Sequence, residues 1–158
     1  MVFVTLGTQK QQFTRLLEDV ENSNLLKDEE IIVQRGNTKY ESKRLKLIDF
    51  ISINEMKQYI EKAEFVITHG GVGSIIDALN LGKKVLAVPR LKKYTEHVDD
   101  HQKEICEKLC EEGYIEQLLE EDSIDEKIKK LRNSKYKKYE NDKKYLDIIE
   151  KDIEDFLK

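Results

Sequence analysis

No apolar stretch in this sequence approaches the roughly 20 residues that a membrane-spanning helix needs. The longest, such as residues 85–88, extend over only a few positions. The opening residues M-V-F-V-T-L-G lack the basic start and the apolar segment of an export signal and run directly into a strand-like pattern. A cytoplasmic protein with no transmembrane segment of its own is therefore expected. The two cysteines, Cys106 and Cys110, stand one helical turn apart. That spacing makes neither a zinc knuckle nor a C-x-x-C redox pair and reads as two small residues on one helix face. The formal net charge is −4, which argues against general nucleic-acid binding, and no nucleic-acid partner is expected. Charge is nonetheless uneven: residues 127–144 hold nine Lys and Arg against two acids, while 145–158 hold five acids against two lysines. Such a run is ordinarily a solvated helix face, with an anionic membrane surface as the alternative.

At 158 residues the chain suits one domain with a real core. Its first two-thirds alternates short apolar runs with helical patterns. Residues 2–6 form a β-branched run ending at Gly7, and Phe13, Leu16, Leu17 and Val20 then follow at helical spacing. Further strands are predicted at 31–33, 45–51, 65–68 and 85–88, the last stopped by Pro89, the only proline. Helices are predicted at 54–62, capped by Asn54, and after the glycines at 70, 71 and 73, ending at Gly82. Residues 99–112 and 123–132 read as helices, 114–115 as an edge strand. An amphipathic helix is predicted from about Tyr136 to the end, with Tyr139, Tyr145, Leu146, Ile149, Ile153, Phe156 and Leu157 on its stripe. The fold class is α/β: a Rossmann-like parallel sheet with helices on both faces, occupying residues 1–132, plus a C-terminal helix over 133–158 that packs on the domain, on a partner, or on both.

In such a sheet ligands bind at the carboxyl ends of the strands. Here those ends carry Gly7-Thr8, Phe50-Ile51, His69-Gly70-Gly71 and Pro89-Arg90. Within T-H-G-G-V-G-S, residues 68–74, glycines let backbone amides approach an anion at a helix start, a diphosphate cradle in principle. It is neither a Walker A loop nor the dinucleotide fingerprint, and a purely structural turn competes with it. Asp77, one turn further, can accept both hydroxyls of a ribose or simply complement the helix dipole. P-R-L-K-K-Y-T-E-H-V-D-D-H-Q, residues 89–102, joins positive charge to Asp100, His101 and Gln102, a mixture suited to a polyhydroxylated ligand. His97-x-x-Asp100-His101 is similar to the H-x-x-E-H of a zinc peptidase class, but Asp replaces the Glu and no third ligand follows. No metal and no cofactor are expected.

Taken in order, V-F-V-T-L-G-T, V-I-T-H-G-G-V-G-S and the 89–102 segment resemble the C-terminal domain of family 28 glycosyltransferases, one half of the two-domain GT-B architecture. The likeness is greatest to the small soluble subunits of split bacterial capsular and exopolysaccharide transferases. It extends to the catalytic subunit of the eukaryotic two-part enzyme that adds the second N-acetylglucosamine to dolichol diphosphate. The resemblance implies a UDP-sugar donor and inverting transfer, β-1,4-galactosyl or similar, to a lipid-linked saccharide acceptor. It implies Gly7, Thr8, Gly70, Gly71, Gly73 and Ser74 at the phosphates, with His69 and Arg90 in the same loops. Phe50 and Ile51 would border the uracil, Asp77 the ribose, and Asp100, His101 and Gln102 the sugar. The family usually has Glu where this chain has Asp77. The catalytic base is unassigned, with His69 and His101 as the local candidates, because in this architecture it tends to lie on the acceptor-binding half. A membrane-anchored partner carrying that half is implied, which would hold this chain at the inner face of the plasma membrane. A non-catalytic subunit that enhances a partner transferase is the alternative; a sugar-nucleotide epimerase or hydrolase is less compatible with a single half-length domain.

Overall fold

The computed structural model describes residues 1–140 and Lys151. Six strands form one parallel sheet: β1 (Val2–Thr5), β2 (Ile31–Gln34), β3 (Lys46–Ile48), β4 (Phe65–His69), β5 (Lys84–Val88) and β6 (Glu116–Gln117). Their order is β3-β2-β1-β4-β5-β6, so the chain reverses its direction of travel between β1 and β4. That is the doubly wound arrangement in which a crevice opens at the carboxyl ends of the two strands where the order reverses. The central strands read V-F-V-T, F-V-I-T-H and K-V-L-A-V and are buried almost throughout, as strands covered on both faces must be.

Two cores lie on opposite faces of the sheet. One packs Val2, Val4, Leu6, Val33, Ile67 and Leu86 against Leu16, Leu17 and Val20 of α1 (Thr14–Asn22) and Ile128 and Leu131 of α5 (Ile124–Asn133). The other packs Phe3, Val66, Val85 and Ala87 against α2 (Ile53–Lys62), α3 (Val72–Asn80) and α4 (His101–Glu111), through Ile60, Ile75, Ala78, Cys106 and Leu109. Alternate residues of each strand serve alternate faces, which is the period of two made visible. Both cysteines are free thiols, Cys106 buried and Cys110 half-buried on α4.

Several predicted boundaries move. Ser52, not Asn54, caps α2: its hydroxyl accepts from the Glu55 N–H while the Glu55 carboxylate accepts from the Ser52 N–H, a reciprocal capping box. The α4 helix begins at His101 rather than 99, because the Asp99 carboxylate already takes the His101 N–H. The edge strand is Glu116–Gln117, two residues past its predicted place, because Tyr114 and Ile115 instead bring the chain from the end of α4 into the second core.

The helix predicted from Tyr136 does not start there. Ser134 is extended and ends α5. The Lys137 N–H donates to Gly113 O, and the Tyr136 hydroxyl donates to the Glu116 carboxylate. Tyr139 meets the Tyr114 ring edge-on at 5.8 Å. These tertiary partners hold residues 134–140 against the domain outside any helix or strand. Apart from Lys151, the remainder of that predicted helix, with the rest of its stripe and its partner-facing role, lies outside the described residues. Among the described residues no helix is long and apolar enough to cross a membrane.

Ile67 is fully buried at the centre of the sheet, whereas Ile53 is 90% exposed at the start of α2. Ile67→Ala should lower the unfolding free energy by about 2–5 kcal/mol in urea denaturation. Ile53→Ala should change it by less than about 0.5 kcal/mol in the same assay.

Candidate functional site

The reversal point is built from the turns that follow β1, β2 and β4. After β1 the chain turns at Gly7 with φ +74°, a left-handed conformation that suits glycine. Gln34 closes β2: its amide oxygen accepts from the Thr5 hydroxyl at 2.6 Å, and its nitrogen donates to Gly7 O at 3.3 Å and Asp49 O at 3.0 Å. One side chain thereby ties the ends of β1, β2 and β3 together. Gly36 (φ +58°) lies so close to the Gly7 carbonyl that a Cβ there would overlap it.

His69 ends β4 and is 7% exposed. Its imidazole fills the space that a Cβ at either Gly7 or Gly71 would need, so both turns are glycine for the same reason. The Gly71 N–H donates to Nδ1 at 3.1 Å, and Nε2 lies 3.3 Å from the Ser74 hydroxyl. With an N–H aimed at Nδ1, that nitrogen keeps its lone pair and the ring proton belongs on Nε2. Burial, and then the nearby Arg90 guanidinium, push this imidazole down to about 4 from its ordinary 6.5. It is a neutral hydrogen-bonding group at physiological pH and a weak base.

Gly71 caps α3, with Val72, Gly73 and Ser74 in its first turn. No side chain caps this terminus. The first hydrogen bond along the helix is donated by the Ile75 N–H to Gly71 O. The amides of Val72, Gly73 and Ser74 precede it and have no partner within the helix, so the helix start is electropositive and open to an anion. A Cβ on Gly73 would meet nothing within 4 Å. Gly73 faces open space rather than the packed protein.

The space beside it is a cavity of about 250 Å³ lined by Thr5, Gly7, Thr8, Gln9, Gln34, Phe50, Ile51, Met56, His69, Gly71, Gly73 and Ser74. A second cavity of about 360 Å³ adjoins it, sharing Ile51 and Met56. Ser52, Ile53, Lys57, Ile60, Asp77, Asn80 and Leu81 complete its wall, which is mostly apolar in area, with Ser52, Lys57, Asp77 and Asn80 as its polar residues. Phe50 stands at the rim, 56% exposed. A cavity that includes the glycine turns and the start of α3, next to a more apolar one bearing a carboxylate, can hold a diphosphate joined to a ring.

The structure thus brings Gly7, Thr8, Phe50, Ile51, His69, Gly71, Gly73 and Ser74 into one cavity and Asp77 into its neighbour. The other expected residues, Gly70, Arg90, Asp100, His101 and Gln102, line neither. Gly70 is packed under α4, where a Cβ would lie 2.7 Å from Gln102 Cβ. Arg90 is 1% exposed and stacks 4.8 Å over the Phe13 ring. Its guanidinium donates to Leu6 O, Gln11 O and Glu96 O, so it binds the β1 turn to the β5 loop. Asp100 accepts from the Lys92 N–H at 2.9 Å. His101 is 8% exposed, with Nε2 3.4 Å from Asp99. Glu96, 3% exposed, receives two hydrogen bonds from Arg15 and one from the Leu91 N–H. Much of the 89–102 segment is thus occupied in holding itself. Among the described residues no group of three or more His, Cys, Asp or Glu is placed to hold a metal ion.

Sequence reasoning missed Gln34 and Met56 in the first cavity and Ser52, Lys57 and Asn80 among the polar residues of the second. For Gln34 a signal existed: I-I-V-Q ends an apolar strand in a polar residue on the carboxyl edge. Asn80 lies three residues after Asp77 on the same helix, a spacing that shares a face.

The family model of the glycosyltransferase family 28 C-terminal domain matches residues 1–157. The chain is 29% identical over 139 residues to the UDP-N-acetylglucosamine transferase subunit ALG13 of Debaryomyces hansenii, covering 80% of this chain and 62% of that protein. It therefore spans about three-fifths of that relative's length. The NMR solution structure of ALG13 superposes with a TM-score of 0.57 at 22% identity, covering 87% of each chain. The crystal structure of the glycosyltransferase SnogD from Streptomyces nogalater does so at 0.58 and 16% identity, covering 84% of this chain and 34% of that one. At these identities the two structures speak for the fold alone.

The depressed His69 value has a consequence for stability. Above pH 6.5 both folded and unfolded chains carry this imidazole neutral; as pH falls from 6.5 towards about 4, only the unfolded chain takes up the proton. Stability is therefore lost with falling pH across that window. Between pH 7 and pH 5 the share due to His69 should be about 2 kcal/mol. Urea unfolding of the wild type and of His69→Asn at both pH values should show a correspondingly smaller loss in the variant.

Proposed function

The chain belongs to the glycosyltransferase family 28 C-terminal domain family, and on that premise we propose that it is the donor-binding subunit of an inverting UDP-sugar-dependent glycosyltransferase. The observation that carries this reading is the uncapped start of α3, whose free amides open onto a cavity between two glycine turns. The diphosphate would lie against Gly7, Thr8, Gly71, Gly73 and Ser74. Uracil would sit near Phe50 and Ile51, and Asp77 would hold the ribose. The sugar would extend towards the loop after β5 and the start of α4, which carry Asp100 and His101. Amides fixed at a helix end stabilise charge as it develops on the departing UDP, without a cation.

Single displacement also needs a base to deprotonate the acceptor hydroxyl. His69 is too acidic and too engaged for that part, and His101, beside Asp99, lines neither cavity. We assign the base to a membrane-anchored partner that supplies the other half of the cleft and holds a lipid-linked saccharide. On the sequence resemblance we place the enzyme in capsular or exopolysaccharide synthesis, at the inner face of the plasma membrane, with the basic run at 127–144 towards the bilayer. Two donors come first: UDP-galactose, on that resemblance, and UDP-N-acetylglucosamine, the sugar nucleotide in the name of the Debaryomyces relative.

Calorimetric titration with UDP and both UDP-sugars tests the reading. Gly73→Leu places a side chain in open space and should abolish UDP binding while leaving the unfolding midpoint unchanged. Asp77→Ala should weaken UDP about tenfold, the equivalent of about 1.4 kcal/mol. UDP binding that survives Gly73→Leu would remove the site from this cavity. Absence of wild-type binding at millimolar UDP, with partner binding retained, would favour a non-catalytic enhancer.

A further inference from the structure

Gln102 lies in the first turn of α4 and is 5% exposed. The ladder between β4 and β5 ends at the pair His69 and Val88, and the backbone just beyond it must find other partners. Gln102 Oε1 provides them: it accepts from the Gly70 N–H and from the Arg90 N–H, both at 3.1 Å. One carbonyl oxygen thereby joins the two strand ends where their own pairing stops. Its nitrogen Nε2 lies 3.3 Å from His69 Nδ1, the same atom that receives the Gly71 N–H. With Oε1 committed to two donors, Nε2 is the donor of this pair. Two N–H groups therefore converge on Nδ1, and the ring proton is held on Nε2, 3.3 Å from the Ser74 hydroxyl at the mouth of the α3 amides. The absence of a side chain at Gly70 lets α4 come this close: a Cβ there would lie 2.7 Å from Gln102 Cβ and 2.9 Å from Cys106 Sγ.

We propose that Gln102 is a positioning residue of the donor cleft: its buried amide joins the carboxyl ends of β4 and β5 and holds His69 as the Nε2–H tautomer, so that His69 and Ser74, not Gln102, meet the ligand. The inference rests on the donor-site reading above and replaces a direct contact of Gln102 with the sugar. The amide has an acceptor fully used and a donor engaged, which leaves little for a sugar hydroxyl. A direct sugar contact and a positioning role differ in what they do to a nucleotide that carries no sugar. If Gln102 touched the sugar, UDP would be indifferent to its loss. If it positions the cleft, UDP and UDP-sugar suffer alike.

Two variants of the full chain, Gln102→Leu and Gln102→Glu, test this, each first shown to be folded by thermal unfolding. Gln102→Glu keeps an acceptor for Gly70 and Arg90 but replaces the donor at His69 Nδ1 with a carboxylate oxygen. Nitrogen-15 NMR of the His69 ring at pH 7 should show a neutral Nε2–H form in the wild type. In Gln102→Glu it should show protonation at Nδ1 and a titration moved upward. Arg90 and, more weakly, His97 are the charged or titratable groups that also act on this ring, and both are unchanged in these variants. Titration with UDP and with UDP-galactose should show Gln102→Leu weakening both by the same factor, about tenfold. Weakening of the sugar nucleotide alone would overturn the proposal, as would an unaltered neutral Nε2–H signature in Gln102→Glu. Should wild-type chain bind no UDP, the donor reading fails by itself, and the His69 spectrum still decides whether Gln102 positions the ring.

Discussion

The imidazole of His69 takes up the volume that a side chain at Gly7 or at Gly71 would require. The β1 turn and the β4 turn close on the two sides of one ring, and the start of α3 inherits its position from that contact. Because the ring is buried beside a buried guanidinium, it is neutral. A charged ring there would be without a counterion, and burying an unpaired charge is more costly than any single hydrogen bond returns. Neutrality in turn makes the ring's two nitrogens unequal. One accepts from the backbone and from Gln102, and the other is left as a donor beside Ser74.

Around this ring the fold places braces in positions where sequence alone suggests ligands. Arg90 holds three backbone carbonyls and lies over Phe13, so its charge serves the junction of the β1 turn with the β5 loop. Glu96 receives Arg15 in a two-point ion pair with a nearly buried carboxylate. Removing Arg15 would leave the nearly buried Glu96 carboxylate without its cation. The 89–102 loop is thus stiffened by charge, including that of Arg15 on α1, while the amides at the start of α3 have no side-chain cap. A site that binds an anion needs that division of labour: side chains satisfied among themselves, backbone donors left open.

The strands and their order of appearance were legible because each central strand is a continuous apolar run stopped by glycine, histidine or proline. The crevice followed from topology, since the reversal between β1 and β4 puts its flanking turns at one edge. Helix caps were legible in part. Ser52 with Glu55 three residues on is a capping-box pattern that the neighbouring Asn54 obscured. The orientation of polar side chains was not legible. Arg90 is decided by carbonyls as far as 84 residues away in the chain, and Gln102 by an amide 32 residues away. Residue type tells which bonds such a group can make, and only the packed backbone tells where they go. The helix predicted from Tyr136 failed at its start for the same reason: the tyrosines have helical spacing, but Tyr136 and Tyr139 find their partners on β6 and just after α4.

The proposed donor site places a nucleoside diphosphate against the open amides of α3 and the Gly7 turn. The most direct measurement is a backbone amide map by heteronuclear NMR as UDP is added to the labelled chain. Binding there should produce saturable downfield movement of the Val72, Gly73 and Ser74 amides, with Gly7 and Thr8 following and the amino ends of the strands still. Movement confined to other surfaces, or none at saturating UDP, would contradict it.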